Sequence, residues 1–195
     1  MKYGMNLLLW SGELNDELIP VLESLKSMGY DGVEVPIFNL DLDYTAWGQR
    51  FDDLGLERTA VTVRNEEDNP ISPDGATRQK GVDLTKRTLD CCAAAGVTTL
   101  VGPYHSALGL FSGAGPTADE WSRGVDSMKQ VAQHAGDVNV MLGVECLNRF
   151  ETYLLNTHAD SARFVKDVDH PNCRMMYDTF HSNIKQNQRK NIDTS

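Results

Sequence analysis

VNVMLGVECLNRFETYLLNTHADSARFVKDVDHPNCRMMYD, residues 138–178, decides the fold. It opens on an apolar run, 138–145, that alternates as a strand does. Val140, Leu142 and Val144 share one face, and Met141, Gly143 and Glu145 share the other. A loop follows. The segment 157–168 then reads as a helix that starts at Thr157 and Asp160, and residues 173–178 form a second strand pattern. Strand, helix and strand succeed one another with short connections, which predicts two parallel strands joined by a covering helix.

The same alternation extends back to the start of the chain. Residues 3–10 predict a first strand. Residues 16–29 predict a helix, with Leu18, Leu22, Leu25 and Met28 at helical spacing, Pro20 in the first turn and Gly29 as a stop. Strands are predicted at 31–36, 56–63 and 98–103. Between them, 42–55 reads as a helix with Leu42, Trp47, Phe51 and Leu54 on one face, and 76–95 as a long helix ending at Gly96. Residues 64–75 and 104–115 are loops. Residues 116–136 predict a helix in which Thr117 and Glu120 have capping-box spacing and Gly136 is the stop. Six strands in all fit either an open doubly wound sheet or a (β/α)8 barrel. Neither a G-x-G-x-x-G after the first strand nor a G-x-x-x-x-G-K-[ST] is present, which weighs against the nucleotide-binding open sheets.

Parallel α/β folds gather functional groups at the carboxyl ends of their strands. Here those ends are Trp10, Glu34, Arg64, His105, Glu145 and Asp178. With the aliphatic face of 138–145 against the helices, Glu145 points into the mouth of a barrel. A carboxylate buried there needs a partner, either a metal ion or Arg149. Glu151 follows six residues after Glu145, and His181 three residues after Asp178, in what is expected to be the same loop. A salt bridge or a helix cap accounts for either acid alone. Together, three carboxylates, an arginine and a histidine after two successive strands suit a hard divalent cation and a polyhydroxylated ligand.

At these residues the chain resembles a known family. VECLNRFETYLLNT from Val144 and MMYDTFHSNI from Met175 are similar to the motifs of the D-tagatose 3-epimerase / D-psicose 3-epimerase family of xylose-isomerase-like barrels. The start MKYGMNLLLW, the strand DGVEV and the HSALG loop resemble it as well, and the likeness runs from residue 1 to about 184. The resemblance implies a (β/α)8 TIM barrel, and an isomerase that epimerises a ketose at C3 through an enediolate with a divalent metal, Mn2+ before Mg2+ or Co2+. It implies Glu145 and Asp178 as metal ligands, with Glu145 also an acid/base carboxylate. Glu151 and His181 match positions that hydrogen-bond the ketose, and Arg149 is expected to orient the glutamates. Trp10, Glu34 and His105 are expected to line the substrate site. The implied assembly at full length is a homo-oligomer.

The chain has 195 residues, whereas a complete barrel takes about 250. Residues 1–184 are therefore expected to form about six β/α units of a barrel cut short at its C-terminus, and 185–195 a polar tail. The family's remaining histidine ligand, a substrate-binding arginine and the second acid/base glutamate lie on later strands. A chain of this extent is expected to hold metal weakly and to show little proton exchange. Rival readings are hydroxypyruvate isomerase, a sugar-phosphate epimerase of the same barrel class, a metal-dependent endonuclease, and a non-catalytic sugar-binding remnant.

Composition narrows the partners. A formal net charge of −10 argues against nucleic acid or an anionic membrane surface. No run approaches the roughly 20 apolar residues of a membrane span, and the brief apolar start reads as a strand rather than a signal peptide. Cys91, Cys92, Cys146 and Cys173 form no C-x-x-C pair. They read as free thiols in a reducing cytoplasm.

Overall fold

The computed structural model describes residues 1–185. Six parallel strands form one sheet: β1 (Gly4–Asn6), β2 (Gly32–Pro36), β3 (Glu57–Val61), β4 (Thr99–Gly102), β5 (Met141–Val144) and β6 (Cys173–Met175). Helices follow them in turn: α1 (Ile19–Ser27), α2 (Tyr44–Leu54), α3 (Gly75–Ala94), α4 (Ala118–Asp137), α5 (His158–Val168) and α6 (Thr179–Lys185). The strands lie in sequence order, β1 through β6, with no reversal. A doubly wound sheet reverses its order at a switch point, so the sequential order selects the barrel. Among the described residues β1 and β6 are the two edges and do not pair with each other, which leaves the barrel incomplete.

The strand periodicity sorts side chains as the sequence predicts. Val33, Val35, Ala60, Leu100, Leu142 and Val144 are buried against Phe51, Leu89, Met128 and Phe164 from the helices. Burial of each such Leu, Val or Phe contributes roughly 1.5–3 kcal/mol. The opposite face carries Asn6, Glu34 and Thr59, which stand side by side in the β1–β2–β3 register.

The helix ends follow local chemistry. Thr117 and Glu120 close the predicted capping box on α4. The Thr157 hydroxyl accepts the Asp160 N–H at the start of α5. Three differences from the sequence reading have a plain local cause or bear on the site. First, β1 stops at Asn6, because the Asn6 side chain accepts the Leu8 N–H and starts a 3-10 turn over Leu7–Leu9. Second, α4 runs past Gly136 to Asp137, and Asn139 takes the left-handed conformation (φ 58°). Gly136 instead lets α4 approach the ring of His170, which a Cβ there would meet at 3.3 Å. Third, the segment expected to be a loop after Asp178 is α6, and Lys185 belongs to that helix. The rest of the expected polar tail, from 186 on, lies outside the described residues.

Candidate metal centre

Glu145 directly follows β5. Its N–H donates to the Gly102 carbonyl at 3.2 Å, which extends the β4–β5 pairing by one residue. Gly102 is needed for this register. Its φ is 129°, and a Cβ would lie 2.2 Å from the Thr62 carbonyl oxygen. From the other side, His105 Nε2 donates to the Glu145 carbonyl at 2.9 Å, and His105 Nδ1 accepts from Ser106 Oγ at 3.0 Å. His105 is fully buried, and that burial pulls its pKa down to about 4. It stands behind the backbone of Glu145 with both ring nitrogens engaged, rather than lining an open site as the sequence reading expected.

Three side chains converge where β5 and β6 end. Glu145, Asp178 and His181 each offer one ligand atom, and these atoms all lie within 4.8 Å of one another. The Glu145 side chain is 13% exposed, and its Oε1 lies 3.7 Å from His181 Nε2. Glu151 approaches from the same loop, with its Oε2 3.6 Å from His181 Nδ1. Glu34, on β2, is held by Asn6 Nδ2 at 2.8 Å and Thr59 Oγ1 at 3.1 Å.

Four carboxylates thus face one region. Among the described residues, no lysine or arginine forms an ion pair with any of them. The electrostatic consequence falls on Glu145. Burial first, then the charges of Asp178, Glu34 and Glu151, push its pKa up to about 8. Burial, opposed by the Thr59 hydrogen bond and reinforced by Asp178, raises Glu34 as well. Hard oxygen donors and a deficit of positive charge are what a divalent cation would satisfy.

Asp178 has a second task. Its Oδ1 accepts the His181 N–H at 2.8 Å, capping α6. Capping and ligation are compatible, because an ionised carboxylate has about four acceptor sites. The cap at Asp178 therefore does not exclude the ligand reading.

Arg149 does not stand between the glutamates. It is exposed, with its guanidinium 4.5 Å from the centroid of the Phe150 ring, and forms no ion pair with Glu145 or Glu151 among the described residues. The residue that organises the two loops is Asn148, which the sequence reading passed over. Its side chain donates to Glu151 and lies 3.1 Å from His181 Nδ1. An asparagine one position before an arginine offers no periodic or charge signal, so only its partners reveal it. Asn6 and Thr59 were missed for the same reason. Trp10, expected at a strand end, follows the 3-10 turn and is 48% exposed. Arg64 is buried, donating to Asp68 and to Thr62 Oγ1.

No helix among the described residues is long and apolar enough to cross a membrane, and all four cysteines are free.

Comparison with known proteins places these features in a family. The family described as xylose isomerase-like TIM barrel matches residues 22–194. D-psicose 3-epimerase of Agrobacterium fabrum is 32% identical over 191 residues, covering 95% of this chain and 66% of the relative. L-ribulose 3-epimerase of Mesorhizobium japonicum is 32% identical over 188 residues, covering 95% of this chain and 63% of the relative. The crystal structure of D-psicose 3-epimerase with D-tagatose from Clostridium cellulolyticum H10 superposes with a TM-score of 0.89 at 28% identity, covering 100% of this chain and 69% of that one. The chain thus spans 66% and 63% of the lengths of these two curated relatives.

Proposed function

This chain belongs to the xylose isomerase-like TIM-barrel family, and on that premise we propose that it carries the metal-binding and proton-abstracting part of a ketose 3-epimerase. The observation that carries the reading is the convergence of Glu145 and Asp178 with His181, all ligand atoms within 4.8 Å. Relatives that are D-psicose and L-ribulose 3-epimerases support the reaction class.

Glu145 and Asp178 hold a divalent ion, Mn2+ first and Mg2+ or Co2+ as alternatives. The unbalanced acidic cluster fits such an ion, and the proximity of the two oxygens allows both residues to contact it. Bound there, a divalent cation supplies Lewis-acid stabilisation of the negative charge on neighbouring substrate oxygens.

The remaining chemistry belongs to side chains. Epimerisation at C3 begins with removal of a proton next to the C2 carbonyl. Glu145 takes that proton, the C–H pair becomes a C2–C3 double bond, and the carbonyl electrons move to oxygen as an enediolate. A proton returned from a second acid on the opposite face gives the epimer. Glu151 and His181 hold the carbonyl end of the ketose by hydrogen bonds. Trp10, exposed after the first 3-10 turn, contacts the sugar in this reading. His105 positions the Glu145 backbone, and Glu34 adds negative charge to the acidic cluster. The cellular setting in this reading is cytoplasmic, with a small ketose as the only partner besides further copies of the chain.

The test is deuterium incorporation from solvent at C3 of D-fructose or D-tagatose with Mn2+, in this chain and in one extended to the length of its relatives. Label should enter C3 in the extended protein and vanish with Glu145→Gln. Label that persists in the Glu145→Gln protein would overturn the assignment of the base. Binding of Mn2+ and ketose with no exchange in the extended protein would favour a sugar-binding remnant.

A further inference from the structure

We propose that Asn148 fixes the tautomer of His181, so that the ring presents an N–H rather than a lone pair to the metal centre. The use made of that N–H, holding a substrate oxygen, rests on the function proposed above; the tautomer itself does not.

The geometry begins with a donor that cannot be anything else. The backbone N–H of Asn148 points at His181 Nδ1 from 3.1 Å. A backbone amide only donates, so Nδ1 must bear its lone pair. The side chain adds to this. Asn148 Oδ1 accepts the Phe150 N–H at 2.9 Å, which fixes which way the amide faces. Its Nδ2 is then turned to Glu151 and, at 3.1 Å, to the same Nδ1. Asn148 is buried, with 3% of its surface exposed, and the acceptor and donors of its side-chain amide all have partners.

With Nδ1 as acceptor, the ring hydrogen sits on Nε2, the nitrogen that faces Glu145 Oε1 across 3.7 Å. An imidazole nitrogen that carries hydrogen cannot ligate a metal. Among the three groups that meet at the centre, His181 is therefore a hydrogen-bond donor, and Glu145 and Asp178 are left as the ligands. The competing arrangement puts the hydrogen on Nδ1, toward Glu151 Oε2 at 3.6 Å. That would set two N–H groups against each other at the Asn148 backbone. Asn148 is thus a positioning residue that acts through His181.

Heteronuclear NMR of the histidine ring nitrogens in metal-free protein reads this directly. In the wild type, His181 should show an unprotonated Nδ1 and a protonated Nε2. Asn148→Asp places a carboxylate where the amide donor stood, and the ratio of the two tautomers should move toward Nδ1–H by roughly tenfold, the worth of a hydrogen bond to a charged group. A protonated Nδ1 in the wild type overturns the proposal, whether or not the variant folds. An unchanged ring pattern in folded Asn148→Asp overturns the contribution of the Asn148 side chain and leaves its backbone N–H, which the variant keeps, as the group that fixes the tautomer. Neither readout needs metal, sugar or turnover, so failure of the epimerase assignment is seen separately, in the isotope-exchange experiment.

Discussion

Replacing Glu145 by glutamine should make the metal-free protein more stable above neutral pH, although it removes the central residue of the site. Glutamine resembles the protonated acid in shape and cannot ionise. The native carboxyl is pushed from its ordinary value of 4.5 to about 8 by burial and by the charges of Asp178, Glu34 and Glu151. A raised carboxyl contributes no penalty below pH 4.5, where folded and unfolded chains both hold the proton. Between pH 4.5 and 8 the unfolded chain ionises while the folded one does not, and stability is lost progressively. At about 1.4 kcal/mol per pH unit, the loss approaches an order-of-magnitude ceiling of 4–5 kcal/mol by pH 8. The group is 13% exposed, so solvent screening reduces this little. For a domain of this size 1 kcal/mol moves the melting temperature by about 2–4 °C, which puts the expected gap near roughly 10 °C.

The assay is thermal unfolding in chelator at a series of pH values from 4.5 to 8.5, wild type beside Glu145→Gln. The two melting curves should nearly coincide at the acid end and separate steadily upward, with the variant the more stable. His105 does not confuse the comparison, because it is common to both proteins; its lowered value of about 4 costs each of them stability as pH falls below its ordinary value. Adding Mn2+ at pH 8 should raise the wild type and leave the variant almost unmoved, since a ligand that binds only the folded state stabilises by mass action. Parallel curves across the whole range would refute the claim that these acids crowd one another without a cation.

Two further substitutions test the supports. Gly102→Ala should lower stability by at least about 2 kcal/mol in denaturant unfolding, because its Cβ would lie 2.2 Å from a backbone oxygen at a φ that disfavours side chains; a loss under half that would show that β3 and β4 can move apart. Arg149→Ala should change stability by no more than about 0.5 kcal/mol and leave Mn2+ affinity, measured calorimetrically, unaltered, as expected of an exposed side chain outside the cluster. A clear loss of affinity would restore Arg149 to the role that the sequence suggested.

The part of the site legible in the sequence was the part built from charge and strand period. Glu145 and Asp178 could be placed because each ends an apolar alternation, and a carboxylate there has few neutral explanations. His181 could be placed near them by its distance along the chain, although its helix was not foreseen. The cap that Asp178 puts on α6 needs the chain to turn within three residues of β6, and nothing in the periodicity announces a helix starting at Thr179. Arg149 misled because proximity in sequence does not fix which way a loop side chain turns.

By itself, then, the sequence determined the alternation of strands and helices, which face of each strand is apolar, and that Glu145 stands at a strand end. These follow from a two-residue strand period, a 3.6-residue helical period and short-range capping, all local along the chain. Only the tertiary structure decided the sequential strand order that makes a barrel, the meeting of four acids with no lysine or arginine paired to them among the described residues, and the turning of Asn148 toward His181 in place of Arg149. Those depend on groups such as Asn148 and His181, 33 residues apart in sequence yet 3.1 Å apart in space. Neither period nor composition encodes a distance of that kind.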